Sequence, residues 1–277
     1  MLRQRVITAV LLLAVILPAL FHERIEPFAA LSLLLLAAAG WEWARLNGHG
    51  GATALPIGVG LGALLALAWW LGALEQSWRL LWLGAGAAWV MLAVVALGRG
   101  VDGWSRWPAG LRLPLGLFLL GCAWLAMVQA RQIGLSFLLS VFLLVWTADI
   151  AAYFGGKRFG RRKLAPSVSP GKSWEGAISG LLGVCLLAAG WIWADGSGWG
   201  DQGSVYTRLW SYGALPAVLA LLFLTAMSVI GDLIESLVKR SAGVKDSSQL
   251  LPGHGGVLDR IDALLPVLPL AMMLVTL

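Results

Sequence analysis

Apolar residues in this chain come in long unbroken blocks, not at alternate positions. Nine such blocks, at roughly residues 6–21, 28–44, 53–74, 80–98, 113–130, 133–154, 175–194, 211–237 and 261–277, predict helices. Several approach the ~20 residues that a helix needs to cross about 30 Å of hydrocarbon. No block alternates with period two, which speaks against a β-barrel. The first follows Arg3 and Arg5 as a signal peptide would, but its exit, PALFHER, lacks a small-x-small cleavage site, so it reads as a retained anchor. The expected fold is all-α, a polytopic membrane bundle of about nine transmembrane helices with a cytoplasmic N-terminus.

Composition strengthens that picture. Hydrophobic residues make up 59% of the 277 and charged residues 12%, about half the charged share of a soluble domain. If every block crosses, one side holds Arg3, Arg5, Arg45, Arg99, Arg106, Arg112, Lys157, Arg158, Arg161, Arg162, Lys163, Lys172, Lys239, Arg240, Lys245 and Arg260. The other holds only Arg24, Arg79, Arg131 and Arg208. That bias follows the positive-inside rule and makes the first side cytoplasmic, in a membrane expected to be a bacterial inner membrane. The net charge of +6 is therefore explained by topology, without nucleic acid. Cys122 and Cys185 both fall inside apolar blocks and read as small hydrophobes.

The chain divides into two regions. Residues 1–130 read as scaffold helices, with Gly58, Gly60 and Gly62 permitting close helix contact. Residues 131–277 read as the catalytic region, its site at the cytoplasmic face. There Asp149 lies inside an apolar block, and ionisable residues in a span usually mark a site. Asp232, Glu235, Ser236 and Lys239 fall on one helix face at offsets of 0, 3, 4 and 7. Asp259 and Asp262 stand at the entrance to the last block, where capping would also favour them. In SPGKSWEG a phosphate loop would need glycine at 166, where Pro166 stands. Ser169, Lys172 and Ser173 remain as an anion site at a helix start, with Glu175 as a first-turn cap. LLPGHGG predicts a tight turn that leaves His254 either a ligand or a turn residue.

Aspartates with no nearby cysteine suit a hard cation, chiefly Mg²⁺ with water and phosphate ligands. Lysines and arginines beside them are the further part that phosphate chemistry needs. At the membrane face, the set suits one substrate from water and one from lipid.

Residues 236–262, SLVKRSAGVKDSSQLLPGHGGVLDRID, resemble the signature of the phosphatidate cytidylyltransferase (CDP-diacylglycerol synthase) family. Ser236, Lys239, Arg240, Lys245, Asp246, Ser248, Pro252, His254, Gly255, Gly256, Asp259, Arg260 and Asp262 fall on the pattern without a gap. DIAAYFGGKRFGRRKL, SPGKSWEG and GDLIES are similar to other shared stretches; Gly171, where relatives often carry lysine, departs from them. The resemblance implies transfer of a cytidylyl group from CTP to phosphatidate, giving CDP-diacylglycerol and pyrophosphate. It implies Mg²⁺, admits a monovalent cation (K⁺) and is compatible with a homodimer in the lipid bilayer. On that reading Asp232, Asp246, Asp259 and Lys239 are catalytic, and Asp232, Asp246, Asp259 and Asp262 hold metal. Lys172, Ser173, Ser236, Arg240, Lys245, His254 and Arg260 bind substrate. A relative acting on another lipid, such as an isoprenoid ether lipid phosphate or a lipid alcohol, is the alternative within this chemistry. An ion-coupled transporter would need polar residues spread across the bilayer, and in this chain they gather at one face.

Overall fold

The computed structural model describes residues 2–198 and 203–276. Twelve helices are present among them: α1 (Leu2–Phe21), α2 (Glu26–Leu46), α3 (Gly51–Trp70), α4 (Arg79–Leu92), α5 (Gly98–Ser105), α6 (Ala109–Ile133), α7 (Leu135–Phe159), α8 (Trp174–Gly196), α9 (Val205–Trp210), α10 (Ala214–Ser241), α11 (Leu258–Ile261) and α12 (Leu264–Thr276). A π-helical turn, Ala93–Leu97, joins α4 to α5, so that 79–105 forms one long apolar segment, kinked at Gly100. Among the described residues, eight helical segments are long and apolar enough to cross a membrane. The chain is an all-α, multi-pass membrane bundle.

The ninth expected span is α12, only 13 residues long, or roughly 20 Å at 1.5 Å per residue. It starts late because 258–261 forms a separate short helix, α11, before it. Leu264 to Met272 are all buried, enclosed chiefly by α4, α6 and α10. A helix apolar all round belongs in the interior, and this one does. The helices α7 and α10 run four or five residues past the apolar blocks that predict them, as far as Phe159 and Ser241. Lysine and arginine stems can lie along apolar surface while their heads reach water, so helix and hydrocarbon need not end together.

A two-stranded antiparallel hairpin, β1 (Lys163–Ala165) and β2 (Ser169–Ser173), departs from the all-helical expectation. Strands of three and five residues are too short to show a period. Small residues bring α7 and α8 into close contact. A Cβ on Gly176 would lie 2.8 Å from the Ala152 carbonyl, and one on Gly180 would lie 2.8 Å from that of Ala148. Gly58 and Gly62 fit α3 against Ala37 and Trp41 of α2 in the same way, whereas Gly60 faces open space.

The two ends of the bundle are distinct. At one, the Thr8 hydroxyl of α1 donates to the Pro252 carbonyl at 2.9 Å, placing the start of the chain beside the signature loop. At the other, Arg131 donates to the carbonyls of Leu20 and His22, and Gln129 to those of Leu74 and Gln76.

Candidate active site

Helix α10 carries the first part of the site. Asp232 and Lys239 are two turns apart, so both face the same way, and Ser236 donates to Asp232 at 3.2 Å. The Lys239 ammonium sits between two carboxylates, pairing with Glu235 on its own helix and with Asp259 at 2.6 Å. The hairpin supplies the second part. Ser173 caps α8 by accepting from Gly176 N–H at 3.1 Å. Glu175, in the first turn, accepts from the Arg161 and Arg162 backbones and pairs with the Arg162 guanidinium. Those ties hold the hairpin against α7 and α8 and send Lys172 across to Asp232, 2.7 Å away.

The signature loop supplies the third part. Leu251 and Gly255 bridge each other across the turn, with Gly253 and Gly255 at positive φ, as the sequence predicts. Asp259 accepts at Oδ2 from the Gly256 N–H at 2.8 Å and from the Ser247 N–H and hydroxyl at 2.9 Å each. Partial burial works against its charge, but contacts with Glu235, Lys239 and the Gly256 N–H outweigh that and hold the carboxyl down at about 2.

These parts enclose one cavity of about 650 Å³. Asp149, Tyr153 and Lys157 line it from α7, and Lys172 and Ser173 from the hairpin. Asp232 and Lys239 line it from α10, with Asp246, Asp259, Arg260 and Asp262 from the signature. All four aspartates assigned to metal therefore face the same space. Among the described residues no three His, Cys, Asp or Glu side chains converge as a ready-made metal site. The carboxylates nonetheless fit a hard cation, because Mg²⁺ commonly takes one or two protein carboxylates and fills its shell with water and substrate phosphate.

Ser236, Arg240, Lys245 and His254 do not line the cavity. Ser236 supports Asp232. Arg240 is exposed and donates to the Val244 carbonyl at 3.4 Å, and Lys245 is exposed. His254 donates its backbone N–H to Leu251 within the turn at 2.8 Å, and its Nδ1 is buried without a hydrogen-bond partner.

Two further residues matter, Asp149, which its place in an apolar block already marks, and Glu42, which the sequence reading passed over. Asp149 lines the cavity, within electrostatic reach of Lys172 and Asp232. Glu42, on α2 in the region read as scaffold, is fully buried against the signature loop. A carboxylate in an apolar block is the signal that marks it, and the same signal picked out Asp149.

A family model described as the cytidylyltransferase family matches residues 3–277. The chain belongs to the cytidylyltransferase family. Within the family it is 41% identical to the phosphatidate cytidylyltransferase of Pseudomonas aeruginosa, over 97% of this chain and 95% of that one. It is 40% identical to the enzyme of the same name from Haemophilus influenzae, over 97% and 96%. The Brucella suis phosphatidate cytidylyltransferase is 37% identical over 89% of this chain and 76% of its own length. In this cytidylyltransferase the signature and the upstream stretches come together in space as well as in similarity.

Proposed function

We propose that the chain transfers a cytidylyl group from CTP to phosphatidate, releasing pyrophosphate and leaving CDP-diacylglycerol in the bilayer. One observation carries the reading beyond family membership. A single cavity joins aspartates to the ammoniums of Lys172 and Lys239 at the end of the bundle where α7 and α10 finish. Two polyanions need such a space, because their like charges must be met before they can approach.

A phosphatidate oxygen attacks the α-phosphorus of CTP, a new P–O bond forms, and the bond to the bridging α–β oxygen breaks as pyrophosphate leaves. The attacking monoester has a second pKa of about 6, so it is largely dianionic at neutral pH and needs no strong base. The work left to the protein is positioning and charge neutralisation. Lys172, Lys239 and Arg260 take the phosphates, with Ser173 beside them. Asp232, Asp246 and Asp259 would hold Mg²⁺, with Asp262 as a further donor, and Asp149 balances Lys172. Bound there, Mg²⁺ would supply positive charge to offset that of the substrate phosphates. The two ion pairs, Lys172–Asp232 and Lys239–Asp259, keep carboxylate and ammonium poised until phosphates take over the lysines.

The site faces the cytoplasm in a bacterial inner membrane. The sixteen-to-four division of lysine and arginine supports this. The test is purified protein with phosphatidate, α-labelled CTP and Mg²⁺. A labelled lipid that disappears on chelation is expected. No product with phosphatidate, but product from another lipid phosphate, would move the assignment to a different acceptor.

A further inference from the structure

Glu42 is the most completely buried carboxylate among the described residues, and its partners all lie in the signature segment. Its Oε1 accepts from the Ser248 hydroxyl at 2.6 Å and the Val257 N–H at 2.9 Å. Its Oε2 accepts from the Leu258 N–H at 2.7 Å and lies 3.2 Å from the Ser247 hydroxyl. Val257 and Leu258 begin α11, so their N–H groups have no helical partner of their own and a carboxylate satisfies them. The Ser247 hydroxyl has one proton and two carboxylates within reach, Glu42 and Asp259. Gly256 makes the approach possible: a Cβ there would lie 2.2 Å from Glu42 Oε1 and 2.1 Å from Ser247 Oγ.

A fully buried charge costs several kcal/mol unless it is well hydrogen-bonded. Its retention at this position needs a reason. The chain of contacts supplies one. Glu42 holds Ser247, Ser248 and the first turn of α11. Ser247 and Gly256 in turn hold Asp259 Oδ2, and Asp259 Oδ1 fixes the Lys239 ammonium. An aromatic-flanked helix of the N-terminal region thus sets the aim of two groups that line the cavity.

We propose that Glu42 is a positioning residue for the transfer reaction, a buried clamp that fixes Asp259 and Lys239 through the 247–258 segment. This rests on the reading of the cavity as the place where the nucleotide and lipid phosphates meet. In Glu42→Gln the side chain keeps its size but turns an NH₂ toward a backbone N–H that can only donate and a serine hydroxyl that would have to reverse its bond. A misplacement of about 1 Å can cost on the order of a hundredfold in rate.

The experiment compares full-length wild type and Glu42→Gln in detergent, measuring kcat and the KM for CTP. Expected is a fall in kcat of about tenfold or more together with a severalfold rise in KM for CTP. A smaller folded fraction lowers kcat alone, so an unchanged KM in the variant overturns the proposal, as does wild-type behaviour. Ser248→Ala removes one hydroxyl and leaves Glu42 with its backbone donors. It reads the same geometry if Glu42→Gln does not fold: raised KM supports the clamp, and wild-type constants overturn it. An inactive wild type would instead remove the functional reading on which the proposal stands.

Discussion

Asp259 keeps its charge through short local contacts, and that has a pH consequence. Its carboxyl lies at about 2, below the usual value of 3.8. A lowered folded-state pKa contributes stability above the unfolded value, and that stability is lost as pH falls toward the folded one. The window is therefore from about pH 4 down to pH 2. With a chelator present, Asp259→Asn is expected to lower the thermal transition in detergent at pH 7 by the equivalent of about 2 kcal/mol. The gap to wild type should close as pH drops through that window, and a gap independent of pH would contradict a cause rooted in the carboxylate's charge. Turnover of the variant should fall by about a hundredfold or more, read as labelled lipid formed, because Lys239 loses one of the two carboxylates that hold it. At this scale the sequence was most legible where chemistry is contiguous: the residues from Ser236 to Asp262 contain most of the cavity's charges. Glu42 was less legible because its partners lie more than two hundred positions away, and no local spacing links them. His254, which the sequence leaves as either a ligand or a turn residue, donates its backbone N–H within the turn it sits in.

Elements are held by close approach between backbones, since in lipid there is little hydrophobic gain in pressing two apolar helices together. The α7–α8 pair is the clearest case, with Gly176 and Gly180 against the Ala152 and Ala148 carbonyls. This pair also spaces the site, because Asp149 rides on α7 and Lys172 on the strand leading into α8. Gly180→Leu is expected to force the helices apart, at a cost of about 1–3 kcal/mol. It should lower activity along with the melting temperature. Gly190→Leu, on the same helix where an added Cβ meets nothing, should leave both near wild type. Equal sensitivity at the two positions would show that α8 responds to leucine itself and not to the loss of a contact. The apolar blocks announced the long helices, since a span must be apolar for most of its length, but not the short α5, α9 and α11. They could not announce the hairpin β1–β2, held by Glu175 and the Arg161 and Arg162 backbones, nor the shortness of α12, which follows from the separate turn of α11 before it.

For the whole molecule, charge and packing make separate statements about which end is which. The basic residues sort by loop, and the sorting places Arg3, Lys163 and Lys245 together with Arg24 and Arg208 opposite. Packing joins the start of α1 to the signature loop through Thr8 and Pro252 and, at the far end, the α1–α2 turn to Arg131. The two patterns are independent of each other, yet they pair the same ends. If the basic end faces the cytoplasm, a cysteine at exposed Lys163 should react with a membrane-impermeant maleimide only after the inner membrane is opened. A cysteine at exposed Arg24 should react in spheroplasts with that membrane intact. The native Cys122 and Cys185 lie within membrane-crossing helices and should contribute little background. The reverse labelling pattern would leave the bundle unchanged but put the cavity on the side without CTP. It would break the link between fold and proposed reaction, because a nucleotide substrate is available only where the positive end of the bundle is expected to lie.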